Sequence, residues 1–283
     1  MRLNLRERPM VYTNIVVLTT GIIMVGVFWF TNLDMRVAER YRLGDAFVGP
    51  ENPIFSFFYY PLNAVLFVVP MMVGMPLWLM SFSRRPFFST IRRHRRHAAL
   101  LMLGTLILAG VLNSIILKSI FARPRPYVVL AGDAGFYRPF EIVRTYWGAV
   151  DMSFPSGHAS VAFALFGFYF AFQHAPSLWR KLLKWGVGVV GALTLGVTMS
   201  LSRAAYGDHF LSDGLFAGAL MYCWLYVTYH ALSIPERDER LKRIPPSRGQ
   251  LSAQDVPTLV VSFVIPIVLL FVLFTQFDGL RSW

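Results

Sequence analysis

Between two apolar runs the chain places Ser202-Arg203-x5-His209-x3-Asp213, a string whose charged and ionisable side chains hydrocarbon would penalise. His209 and Asp213 stand four apart at the start of a helical run, so they share one face. A carboxylate there can accept from one ring nitrogen, fix the tautomer and leave the other nitrogen free as a nucleophile. Arg203 is planar and permanently charged, which suits phosphoryl oxygens. A second stretch, SFPSGHAS (Ser153–Ser160), offers a complementary device. Pro155 halts the preceding segment, Ser156 is a good N-cap, and Gly157 lets backbone approach a ligand closely. The N–H groups of the helix that follows seat an anion, and His158 in its first turn is placed to exchange a proton. A third stretch, KSIFARPRP (Lys118–Pro126), adds Lys118 and Arg125. Three cations, an N–H cradle and two histidines describe a site that handles phosphate.

The apolar runs between these stretches must bring them together. Crossing about 30 Å of hydrocarbon takes about 20 residues. Seven charge-poor runs approach or exceed that length: Val11–Leu33, Ser56–Phe82, Ala98–Leu117, Ala159–Ala175, Trp185–Leu201, Phe210–Leu232 and Val256–Phe277. Composition agrees, since only 15% of residues are charged where soluble domains carry roughly 25%. Aromatic residues gather near the ends of the runs, as interfacial belts do. The expected fold is an all-α polytopic membrane helical bundle. Pro61, Pro70 and Pro76 predict a kink or break in the second run. The first run is too long for a signal-peptide core, lacks a cleavage pattern and reads as an uncleaved anchor.

Lys and Arg number 17 in the loops on the N-terminal side and 10 in the alternate set. That asymmetry predicts a cytoplasmic N-terminus and puts all three polar stretches outside. RRHRRH (Arg92–His97), with His94 and His97, is then a cytoplasmic topology determinant, while His174 and His230 are helix-end residues. The net charge of +12 lies largely in short clusters between apolar runs, with no nucleic-acid-binding motif. Anionic lipid headgroups, not nucleic acid, are the expected partners. Cys223, the single cysteine, makes no intramolecular disulfide.

Lys118-x6-Arg125-Pro126, Pro155-Ser156-Gly157-His158 and Ser202-Arg203-x5-His209-x3-Asp213, in that order and at the ends of apolar runs, resemble a known three-part signature. It belongs to the type 2 phosphatidic acid phosphatase superfamily, and vanadium haloperoxidases share it. The resemblance covers roughly Ala98–Leu232. It implies a six-helix phosphatase core, to which Val256–Phe277 adds a seventh transmembrane helix. The expected organisation is a transmembrane phosphatase domain over 1–232 with its motif-bearing core at 98–232. A cytoplasmic polar linker over 233–255 and an additional helix with a short tail over 256–283 follow. By the same resemblance, His209 attacks phosphorus and forms a phosphohistidine, with Asp213 orienting it. His158 protonates the leaving oxygen and then activates water. Lys118, Arg125, Arg203, the Ser156 side chain and the Gly157 amide stabilise the phosphoryl oxygens, with no metal and no cofactor required. The implied substrate is a lipid phosphate in the bilayer: phosphatidylglycerophosphate, phosphatidic acid, undecaprenyl pyrophosphate or a lipid A phosphate. The implied location is the bacterial inner membrane, with the site facing the periplasm.

Other readings of these residues are weaker. His209 and Asp213 suit a metal by spacing, but no third ligand of the same kind lies nearby in the sequence. Lys118 and Arg125 taken alone would be interfacial anchors. Arg123, Arg138 and Arg144 read as headgroup contacts, Arg138 and Arg144 on a loop (Tyr127–Asp151) expected to cover the headgroup and, with its glycines, to move. Asp208 reads as a solvated turn residue. Two rival functions share the site: a lipid phosphotransferase using the same phosphohistidine, and a non-catalytic transporter or scaffold that binds lipid phosphate. Mere binding needs only the cations, so two histidines and a carboxylate favour catalysis.

Overall fold

The computed structural model describes residues 8–173, 177–242 and 249–278, so His174, linker residues 243–248 and the end of the tail lie outside the described residues. In chain order the main elements are α1 (Arg8–Phe30) and α2 (Leu33–Tyr41), a small hairpin of β1 (Arg42–Leu43) and β2 (Ala46–Phe47), then α3 (Pro53–Met80) and α4 (Arg95–Phe121). They continue with α5 (Pro126–Ala131), α6 (Gly157–Ala171), α7 (Leu178–Ala205), α8 (Leu211–Ala231), α9 (Ile234–Lys242) and α10 (Val256–Asp278). Each of the seven apolar runs falls on a helix. Among the described residues α1, α3, α4 and α7 are long and apolar enough to cross a membrane.

The fold is all-α, with α6 at its centre against α4, α7 and α8. That helix is apolar nearly all round, which suits burial on every side. Ala159, Ala162, Phe163, Tyr169 and Phe170 are all buried, in one core with Leu100 and Ala109 of α4, Met199 of α7 and Met221 and Leu225 of α8. Close approach depends on small residues. A Cβ built on Gly196 of α7 or Gly218 of α8 would stand 2.4 or 2.8 Å from the Phe163 ring, so both helices notch around that ring.

The proline-rich α3 is one continuous helical run. Pro61 lies in a widened, π-type turn over Phe58–Leu62, whose longer hydrogen-bond step accommodates the missing N–H. A longer widened stretch, Gly104–Leu117, occupies α4 below Lys118, and there Ser114 Oγ donates to Ala109 O at 2.7 Å. Within the stretch taken as a polar linker, residues 234–242 form α9. It is tied to the start of α4 by Arg96 donating to Ser233 O at 2.8 Å and by His97 3.1 Å from Asp238. The last helix, α10, packs along α3 and opens with Asp255 accepting from Ser252 N and Oγ.

The C-terminal ends of α1, α4 and α7 and the N-terminal ends of α3, α6 and α8 meet at one end of the bundle. A knot of rings floors that end. Phe140 meets Phe154 and Phe216 at 4.9 Å each, and Phe121 meets Phe154 at 5.1 Å, all edge-on. Phe140 reaches it from a left-handed backbone position, φ +67°. The loop after α5 is thereby anchored rather than loose. Trp29 Nε1 donates to Pro139 O at 3.0 Å and Val143 N to Phe121 O at 2.9 Å.

Candidate active site

Backbone hydrogen bonds join the three polar stretches. Arg125 N donates to Asp151 O and Ser153 N to Arg123 O (3.1 and 2.7 Å), so the first and second run side by side. Ser156 N donates to Asp213 O at 3.1 Å, linking second to third, and Tyr127 N to Gly207 O at 3.1 Å links first to third. Positive φ at Gly207 (+75°) makes the turn that precedes Asp208. A Cβ there would strike the Phe47 ring at 2.5 Å.

His209 sits in that turn with 1% exposure, one residue before the N-cap of α8. Its Nδ1 is 3.7 Å from Asp213 Oδ2, longer than a hydrogen bond, and has no other partner among the described residues. Burial is the largest influence on the ring. Together with Lys118, Arg203 and Arg125 it holds the imidazole well below its ordinary pKa. The result is a neutral, cation-surrounded imidazole. Asp213 itself is fixed elsewhere: Oδ2 accepts from Phe210 N at 2.7 Å and Oδ1 from Arg123 at 2.6 Å.

Arg203 brings the two histidines into one neighbourhood. Its Nη1 is 3.5 Å from His158 Nε2, its guanidinium lies 4.0 Å over the Tyr59 ring, and its buried Nε has no partner among the described residues. Ser156 caps α6 by accepting from Ala159 N at 3.4 Å. Its own N–H is engaged by Asp213 O. Gly157 has a packing reason. A Cβ there would stand 2.4 Å from Ser114 Oγ on α4, so the absence of a side chain lets α6 start against α4.

Several residues depart from the sequence reading. Arg123 is no headgroup contact: 1% exposed, it donates to Asp213, Ser212 and Asp34 at 2.6, 2.9 and 2.9 Å and to Tyr137 O at 2.9 Å. Asp34, on α2, also accepts from Ser212 N and Oγ at 3.0 and 2.5 Å. A buried charge survives only when paired in this way. Asp208 is not solvated. It is 3.1 Å from both Arg125 and Arg203 and accepts from Tyr59 OH at 2.9 Å. Burial alone would raise its pKa, but Arg203, Arg125, His209 and the Tyr59 hydroxyl together outweigh burial and hold the carboxyl below its ordinary value. Arg138 is engaged with the end of α1, donating to Thr31 O, to Phe28 O at 3.3 Å and to Asn32 Oδ1 at 3.0 Å, which caps that helix. Arg144 is exposed. Tyr59 belongs to none of the three stretches. Its only signal in the sequence is a tyrosine pair near the end of an apolar run.

Residues 98–235 match the model of the PAP2 superfamily. Over 209 residues the chain is 27% identical to the lipid A 4'-phosphatase of Francisella tularensis subsp. novicida (strain U112), an alignment spanning 71% of this chain and 86% of that relative. No solved structure matches. The family match opens within α4 and closes just past α8, enclosing all three polar stretches, and together with the lipid A 4'-phosphatase relative it supports a phosphatase of the PAP2 superfamily.

Proposed function

We propose that the chain hydrolyses the terminal phosphate of a membrane lipid in two steps, with His209 as the covalent carrier. The observation that carries this reading is the buried His209 ring, with Asp213 Oδ2 3.7 Å from Nδ1 and the cations Lys118, Arg125 and Arg203 near enough to act on it. In the first step Nε2 attacks phosphorus, the P–N bond forms and the P–O bond to the lipid breaks, while His158, which takes up a proton as the anionic headgroup arrives, gives that proton to the leaving oxygen. In the second, His158 takes a proton from water, the water oxygen bonds to phosphorus and the P–N bond breaks. Lys118, Arg125, Arg203 and the first amides of α6 stabilise the equatorial oxygens, helped by the Ser156 hydroxyl. Asp213 supports the ring as positive charge develops on it.

The site lies at the opposite end of the bundle from the Arg92–His97 loop. With the Lys and Arg asymmetry, this supports a periplasm-facing site in an inner membrane. A lipid then presents its headgroup sideways with its chains still in the bilayer. The relative's name supports a lipid A phosphate as substrate, alongside phosphatidic acid, phosphatidylglycerophosphate and undecaprenyl pyrophosphate. Exposed Arg144 is the loop residue available to a headgroup.

The test is phosphate release from that lipid panel by purified protein, with and without chelator and vanadate. Inhibition by vanadate, indifference to chelator and a loss of about two to four decades of rate in His209→Ala are expected. Wild-type turnover by His209→Ala on every lipid would overturn the nucleophile assignment. A phosphorylated lipid in place of free phosphate when two lipids are mixed would make the enzyme a phosphotransferase.

A further inference from the structure

The turn that delivers His209 also delivers a carboxylate into the same cluster of cations. Asp208 lies 3.1 Å from Arg125 on one oxygen and 3.1 Å from Arg203 on the other, with the Tyr59 hydroxyl donating at 2.9 Å. Three donors on three different elements fix it. Tyr59 is itself held, its ring under the Arg203 guanidinium and stacked on Tyr206 at 4.0 Å. Asp208 is only 9% exposed, so little solvent screens it.

We propose that Asp208 is a fixed counter-charge that limits how tightly the site holds phosphate. This rests on the reading that Lys118, Arg125 and Arg203 bind the phosphoryl group. Each arginine has more donors than Asp208 uses: Arg203 Nε is buried with no partner among the described residues, and Arg125 engages Asp208 through one terminal nitrogen. The carboxylate therefore aligns the two guanidiniums, while Arg125 Nε donates to Met152 O and Arg203 Nη1 meets His158 Nε2, and the remaining donors are left to the substrate. It also reduces three positive charges to a net two, matching a phosphate monoester dianion. Three unopposed cations in a pocket this dry would favour free phosphate after hydrolysis and slow its release. Asp208 acts through its neighbours and is a positioning and affinity-setting residue, not a group that meets the reacting atoms.

The experiment measures inhibition by orthovanadate and by inorganic phosphate in the purified full chain, with phosphatidic acid in mixed micelles as substrate. Asp208→Asn removes the charge and keeps the size; Asp208→Ser removes charge and size; Asp208→Glu keeps the charge. Both neutral variants should be inhibited at concentrations lower by about tenfold or more, with KM and kcat falling together as release slows. Asp208→Glu should stay close to wild type in its inhibition constants. Folded neutral variants with unchanged or weaker inhibition would overturn the proposal. Failure of both to fold would also overturn it, since Asp208 would then be a structural counter-ion. Failure of the underlying site reading looks different: wild type insensitive to vanadate, with His209→Ala turning over normally.

Discussion

Replacing Arg123 by methionine removes the one cation between two buried carboxylates. The side chain is 1% exposed and makes charge-assisted bonds of 2.6 Å to Asp213 and 2.9 Å to Asp34, with its guanidinium 4.2 Å from the Phe210 ring centroid. Methionine fills similar volume but leaves Asp34 with only its Ser212 donors and Asp213 with the Phe210 amide, and no cation from position 123 to offset their charges. Breaking a buried pair from one side costs about 3–5 kcal/mol. In a domain of this size roughly 2–4 °C accompanies each kcal/mol, so Tm should fall by about 6–20 °C. The assay is thermal unfolding in detergent, paired with initial rates. Activity should drop further than folding does at a temperature where the variant is folded, because Asp213 loses the contact that aims it. Adding Asp34→Asn removes one of the two stranded charges, so the double variant should be less destabilised than the sum of the singles by about 0.5–3 kcal/mol. A loss below about 1 kcal/mol in Arg123→Met, or strict additivity in the double variant, would refute the argument that this network is a mutually compensated ionic unit.

Two further outcomes follow from the site. Because His209 titrates well below its ordinary pKa when folded, the unfolded chain takes up the extra proton as pH falls past about 6.5. Its contribution to stability is therefore full above that pH and lost on acidification. Comparing Tm of wild type with His209→Gln between pH 7.5 and 5 should show wild type losing ground; parallel curves would mean the ring is not held neutral. In Gly157→Ala the new methyl meets Ser114 Oγ, which points to a loss of about 1–3 kcal/mol. Ser114→Gly in the same chain should recover part of it. No recovery would show that the glycine serves only ligand approach.

What could be read from the sequence tracks how local each feature is. The seven helices were legible because hydrocarbon demands long uncharged runs, and the three polar stretches stood out because they interrupt those runs. The roles of neighbouring residues were not. Arg123 and Arg125 sit two apart in one RPRP string, yet one is buried against Asp213 and the other reaches Asp208. Arg123 finds Asp34 89 positions away, and no local pattern announces that pairing. Asp208 reads as solvent-facing when its neighbours are a glycine and a turn, and becomes buried only when α3 and the connection between α4 and α5 supply Tyr59 and Arg125. Gly157 looks like a ligand-binding glycine until Ser114 of α4 is seen beside it.

The clamp on Asp213 has a consequence for how this protein can be divided. Asp34 and Tyr59 both precede residue 98, where the family match begins, yet one neutralises Arg123 and the other supports Arg203 and Asp208. The segment that carries the signature is thus chemically incomplete by itself. Grafting residues 98–235 onto another relative's N-terminal helices would import a buried guanidinium that keeps Asp213 but leaves its second counter-ion, Asp34, behind with the donor. A functional chimera would have to move Asp34 and Tyr59 with it.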